Sequence, residues 1–590
     1  MSVSRRALAI VTTILATNTL MYPSITLARP SAQDKKIAEL EAHIKALEAR
    51  LEKVLDAKLN EGTAAPAATG SATAQDTQQH AAATASGISK APSTASTLSQ
   101  TAHADTPVTR SELASLNQKV RLIERKMDVE KEENTSRWDK LPKSIELGSQ
   151  GLKVVSQDQE NSIYLRALIQ ADSNIFMDDS NATPTNANGS SIADKFFMRR
   201  VRPIIEGTVW KWFDYRVMPD FGMGTTRLFD AYIDMRYFRQ ASLTGGKFKS
   251  PISLERLQSA SALPFVERAF PTQLAPNRDV GFMLHGEFDQ PGYPSSFSPL
   301  NRNQTHNGNY PMYNYPDFLS YQVGIFDGSR NNGSIDSDTN DAKEYQGRLF
   351  SHPFLHSGVS ALEGLGLGVA GSWGRPNDDT LSTYQSPGLQ NIFVYNSLAR
   401  ADGQQYRVYP QSYWIMGPFQ LVGEYALSNQ DIANQVTVDR LTQNKFSTNQ
   451  NDQAWNVTAS YVLTGETNTF LGQGIKPRHN FNPAEGNWGA FQVAARWSAI
   501  NFDKNIFENV GTAEKPIYPF ADPRVSVAAA TTWGLSISWW LNPNVKLMTD
   551  YSQTSFQEGA GEFSSSGQLT PAILARETEK VWQTRMQLGF

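Results

Sequence analysis

The segment GGKFKSP, Gly245 to Pro251, carries two lysines two positions apart. On an extended chain residues i and i+2 point to the same side, so Lys247 and Lys249 are placed to act on one ligand. Each ammonium is a mobile point charge suited to an anion. Arg256, Arg268 and Arg278 follow, and from Gly245 to Arg278 five basic residues face only two acidic ones, Glu255 and Glu267. More guanidinium groups sit on polar faces upstream. FFMRRVRPIIEGTVW sets Arg200 and Arg202 opposite Val201 and Ile205, YRVMPD sets Arg216 opposite Tyr215 and Val217, and Arg166 alternates with apolar neighbours. An arginine fork matches the oxygens of phosphate or carboxylate. A row of such groups passes an anion along, provided each site is weak enough to release it. Carboxylates share these faces: Asp230 and Asp234 lie beside Arg236, and Asp172, Glu206 and Asp220 also fall on the polar side. The wall is therefore of mixed sign, which sets up a transverse field.

Other chemistry is poorly represented. The eight histidines are scattered, with no H-E-x-x-H spacing, and neither a G-x-S-x-G nor a Walker motif occurs. His352 and His356 are four apart, but Pro353 opposes the helix that would bring them together. No catalytic residue, metal ligand or cofactor site is expected, and the chain is not expected to be an enzyme. An active site built from a few wall residues would leave no linear motif and stands as a minor alternative. With 54 basic and 58 acidic residues, the net charge of −4 gives no reason to expect a nucleic-acid partner. Any field that matters is local.

These charges need a scaffold, and from Ser144 to the end of the chain the apolar pattern has period two. SIYLRALIQADSNIF places Ile163, Leu165, Ala167, Ile169 and Ala171 on one face, with Arg166, Gln170 and Asp172 on the other. TTWGLSISWWLN alternates Trp533, Leu535, Ile537 and Trp539 with small or polar residues. A large soluble sandwich also alternates. What separates the two is that aromatic residues recur near strand ends, as at Trp210 and Trp212, Tyr237 and Phe238, and Trp539 and Trp540. Interfacial girdles require this, and an apolar uncharged face opposite a polar one is the arrangement of a water-filled barrel in lipid. The mean hydropathy of −0.42 is that of a soluble protein, and it is compatible with such a barrel. Leu243 and Lys247 share parity, and a charge facing lipid at mid-depth costs several kcal/mol. Both lysines are therefore expected in water, at the narrowest part of the pore. The alternatives are pairing with Glu255 or Glu267, or snorkelling at a rim.

The N-terminus reads differently. Arg5 and Arg6, then ALAIVTTILA, then SITLA ending at Ala28, predict a signal peptide over residues 1–28. A membrane anchor is the alternative, but Asn18, Thr19 and Pro23 break the apolar run. Ile37, Leu40, Ile44, Leu47, Leu51 and Val54 keep heptad spacing, which predicts a short coiled coil over residues 29–59, against a surface helix packed on a domain. Residues 60–107 are Ala, Thr, Ser, Gln and Gly with few large apolar side chains, so a flexible linker is expected. A second helical segment, residues 108–140, carries Leu113, Leu116, Val120, Ile123 and Met127. The chain has no cysteine, so burial and hydrogen bonds alone stabilise it.

The closing strand KVWQTRMQLGF puts Trp582, Thr584, Met586, Leu588 and Phe590 on one face. It is similar to the C-terminal strand by which outer-membrane barrels of Gram-negative bacteria are handed to the assembly machinery. The run GGKFKSPISLERLQSASALPFVERAFPTQLAPNRDVGFMLHGEF, residues 245–288, resembles the phosphate-selective porin O and P family. KEYQGRLFSHPF, GAFQVAARWSAINFD and TTWGLSISWWLNPNVKLMTDYS extend the likeness over most of residues 144–590. The resemblance implies an all-β transmembrane barrel of about 16 antiparallel strands, assembled as a homotrimer in outer-membrane lipid. Its third loop, about residues 250–278, would fold inward, and arginines and central lysines would conduct small anions. The function so implied is passive uptake of phosphate or polyphosphate; the alternative is the same barrel passing dicarboxylates or sugars. The coiled-coil arm is then expected in the periplasm.

Overall fold

The computed structural model describes residues 144–149, 151–177, 192–289, 318–337, 340–439, 442–470, 474–561 and 569–590, with helical positions between 111 and 129. The predicted signal peptide, coiled coil and linker lie outside these residues. Within the second helical segment, residues 121–129 form a helix with exposed side chains.

Sixteen strands among the described residues form one ring. They are β1 Ser162–Met177, β2 Lys195–Val209, β3 Phe213–Asp220, β4 Arg227–Phe238, β5 Ala241–Phe248, β6 Asp279–Phe288, β7 Leu319–Phe326 and β8 Glu344–Ser351. The ring continues through β9 Leu365–Gly374, β10 Arg400–Met416, β11 Phe419–Asp439, β12 Thr442–Val462, β13 Ala490–Asn501, β14 Val527–Trp540, β15 Val545–Glu558 and β16 Glu579–Gly589. Neighbours in sequence pair antiparallel, and β16 returns to β1 from Lys580↔Met177 to Gly589↔Leu168, which closes the barrel and leaves no edge. Barrel strands start at Ser162 rather than at Ser144. Residues 144–155 form a separate hairpin, whose second strand pairs only with the first residues of β1.

The side chains alternate as the sequence requires. In β14 Trp533, Leu535 and Ile537 are exposed on the outside while Thr532, Ser536 and Ser538 are buried on the lumen side. Two of the bulges that break this rule bear on the lumen. Opposite β1, Gln170 pairs with Arg200 and Ala171 with Met198, so Arg199 is an extra residue. Phe196 and Met198 face outward before it, and Arg199 and Arg200 both reach the lumen. Between β3 and β4, Met218 pairs with Asp230 and Pro219 with Leu228, leaving Phe229 unpaired and turned inward. Pro219 has no N–H for a regular ladder, which favours a bulge there.

The lumen is partly filled. On the side walled by β9 to β15, an apolar cluster gathers Ile252, Phe270 and Leu274 of the β5–β6 loop with Tyr384 and Phe393 from the β9–β10 loop and Phe502 and Phe520 from the β13–β14 loop. Phe393 and Phe502 stack with centroids 4.2 Å apart. Below it, Phe470 of the β12–β13 connection stacks on Tyr413 at 4.7 Å and joins Phe350 and Leu254. Loops that turn inward bring apolar side chains with them and fill part of that half.

Candidate functional site

The open part of the lumen is a cavity of about 800 Å³ against β1 to β4 and β16. Its lining runs from Asn544 and Phe590, at the end where β1 begins, to Lys195, Arg227 and Gln385 at the other end. Twelve basic side chains line it against three acidic ones, Asp220, Asp230 and Glu267, so the wall is strongly positive in a chain whose net charge is −4.

The β5–β6 loop, residues 249–278, supplies one wall. Ser253 caps a single helical turn, Leu254–Leu257, by accepting from the Arg256 N–H. From there the loop crosses to the far strands. Glu424 accepts from the Glu255 N–H at 3.0 Å, Asp550 from the Val266 N–H at 2.7 Å, and Lys546 donates to the carbonyls of Ser261 and Leu263. Arg496 donates to the Glu267 carbonyl and pairs with the Glu255 carboxylate, both at 2.7 Å. A loop this long is held in place because each wall it meets offers a partner to its backbone.

Eight of the nine residues singled out from the sequence reach the cavity: Arg166, Arg200, Arg202, Arg216, Lys249, Arg256, Arg268 and Arg278. Lys247 does not. Its register, opposite Ala231 and Val280, keeps it on the outward parity of Leu243, and its ammonium pairs with Asp336 in the β7–β8 loop. β5 ends at Phe248, so strand parity no longer governs Lys249. Lys249 turns inward and donates to the carbonyls of Leu257 and Gln258 at 2.9 and 3.2 Å. Burial, then Arg278 and Arg268, press its ammonium well below the ordinary lysine range. Glu255 and Glu267, the alternative partners for the lysines, go instead to Arg496 and Arg199.

The acidic groups of the lining, and those buried beside it, each meet a basic partner. Glu206 takes Arg166 at 3.1 Å and Arg216 at 3.0 Å, Asp220 takes Arg202 at 2.8 Å, and Asp230 takes Arg278 at 3.1 Å. Asp172 is fully buried against Arg585 at 2.6 Å, and Asp234 lies between Arg236 and His285. What remains is cationic. Among the described residues Arg200, Lys249, Arg256 and Arg268 form no ion pair with a carboxylate; Arg200 donates to Gln170, and Arg268 to the carbonyls of Glu255 and Gln258. The Phe229 ring lies 4.4 Å from the Arg202 guanidinium and 4.6 Å from that of Arg278, so the β4 bulge fixes two cations of the wall.

Arg199 and Arg585 were not singled out from the sequence. The Arg199–Arg200 pair carried a signal: two adjacent charges on a strand with one face in lipid require a bulge. Arg585 has lumen parity between Thr584 and Met586. Lys476, which like Arg199 lines the cavity, comes from the β12–β13 connection, and nothing in its local pattern announces that position. Among the described residues no cluster could hold a metal ion.

Comparison with known families matches residues 169–560 to the model of the phosphate-selective porin O and P family. Among curated proteins no relative matches. Solved structures with a similar arrangement include the outer-membrane channel DcaP of Acinetobacter baumannii, at TM-score 0.40 and 9% identity over 74% of this chain and 99% of that one. The trimer form of OmpT from Vibrio cholerae has TM-score 0.39 and 7% identity over 73% and 99%. OmpF of Salmonella typhi in complex with daunomycin has TM-score 0.37 and 11% identity over 73% and 98%.

Proposed function

The chain belongs to the phosphate-selective porin O and P family and forms an outer-membrane channel, and from that premise we propose that the solutes it passes are small anions, phosphate or polyphosphate first among them. The observation that supports this most is the lining, twelve basic groups to three acidic, with each of those three already held by an arginine. An entering oxyanion meets guanidinium edges on one wall and Lys249, Arg256 and Arg268 on the loop opposite. No bond is made or broken, and transport is passive. Homotrimer assembly in outer-membrane lipid, delivery by the assembly machinery through the strand ending at Phe590, and a periplasmic arm belong to the same proposal. Liposome swelling tests the choice of solute. Salts of small anions should enter faster than neutral sugars of equal size; faster sugar entry would favour a general solute pore.

A further inference from the structure

Glu267 is the one acidic residue of the cavity that the loop supplies, and its carboxylate sits in a fork. Arg199 Nε donates to Oε1 at 2.5 Å and Nη2 to Oε2 at 3.0 Å, while Arg585 Nη2 lies 3.5 Å from Oε1. Two parallel N–H···O bonds are how a guanidinium takes a free oxyanion. Arg199 is available only because it is the extra residue of the β2 bulge.

The side chain is not needed to hold the loop. Its own carbonyl is bound by Arg496 at 2.7 Å, the Val266 N–H by Asp550 at 2.7 Å, and the Ala269 N–H by Glu255 at 2.8 Å. The backbone on both sides of Glu267 is thus anchored to other groups. Next to the fork, Arg200 meets no carboxylate among the described residues and donates to Gln170 at 2.7 Å. Its buried Nε has no hydrogen-bond partner among the described residues. A second charge-assisted position therefore lies beside the one Glu267 fills.

Building on the anion reading above, we propose that the Arg199 fork is an oxyanion subsite of the channel, that Glu267 occupies it as a tethered ligand, and that a passing carboxylate or phosphate enters by displacing it. The tether weakens net binding at this point, which favours release over trapping. It also favours ions with two coplanar oxygens, since a halide cannot replace both bonds.

Single-channel conductance measured against concentration in acetate, phosphate and chloride tests this, using Glu267→Asp and Glu267→Gln. Aspartate keeps the charge but is one methylene short of the fork. Both variants should lower the half-saturating concentration of acetate and phosphate by about fivefold, about 1 kcal/mol at 1.4 kcal/mol per tenfold, and leave chloride nearly unchanged. Arg199→Gln in the Glu267→Asp background should cancel the gain. If only local charge matters, Glu267→Asp will match the parent and Glu267→Gln will favour all three anions alike, which overturns the proposal. Should Glu267→Asp assemble poorly, the contrast between oxyanions and chloride in Glu267→Gln decides alone. A parent channel that favours cations overturns the anion reading and this one with it, whereas an anion-selective parent with unresponsive Glu267 variants overturns only the tethered ligand.

Discussion

Lys249→Gln and Lys247→Gln, made separately, should behave as opposites although they remove the same charge two residues apart. Lys249 points into the cavity, where it touches two carbonyls and no carboxylate. For an anion centred about 6 Å away in a confined aqueous space of effective dielectric about 40, one charge contributes about 1.4 kcal/mol. That is about tenfold in occupancy at low concentration. Lys247, itself buried, spends its charge on Asp336, an exposed partner outside the cavity. Conductance against phosphate concentration should show half-saturation rising about tenfold in Lys249→Gln and staying at the parental value in Lys247→Gln. Heat-modifiable gel migration checks that both barrels assemble. Equal effects, or a larger one for Lys247→Gln, would refute the placement of the two side chains.

Three further outcomes follow from the geometry. Because burial, Arg278 and Arg268 lower the Lys249 pKa, its ammonium is intact at low pH and is lost as pH rises through a value well below the usual lysine figure of about 10.4; anion preference should fall as pH rises through that value, and Lys249→Arg should flatten the profile. Asp172→Ala strands the fully buried Arg585, whose other carboxylate among the described residues is Glu267 at 3.5 Å, and should destabilise the barrel by about 3–5 kcal/mol, read as a lower temperature of the gel-mobility transition. Leu535→Arg places a cation on the lipid face and should cost about 2–4 kcal/mol in refolding into bilayers, with conduction of the assembled channel unchanged.

Much of the scaffold could be read from the sequence because lipid and water impose opposite demands on alternate residues. The alternation in β1 and β14, and the parity of Arg166, Arg202 and Arg216, carried straight into the barrel. It failed where the strand itself stops or slips. Lys249 lies one residue past the end of β5, so the parity that paired it with Lys247 had no force there. Arg199 lies in a bulge, and so does Phe229, which alternation assigns to the outside. The interior packing was hidden for a different reason. Leu254, Phe350, Tyr413 and Phe470 come from four separate parts of the chain, and a period-two reading of each says nothing about which loop enters the lumen. Alternation suggests a water-filled barrel, whereas the inward loops pack apolar side chains into the side walled by β9 to β15.

The central claim is that the local lining outweighs the net −4 of the chain. Reversal potential across a planar bilayer, with the purified protein in a potassium chloride gradient and then a potassium phosphate gradient, tests it most directly. The predicted potential has the sign set by the anion in both salts, and its magnitude is greater in phosphate. A potential near zero, or one with the sign set by potassium, would contradict the account.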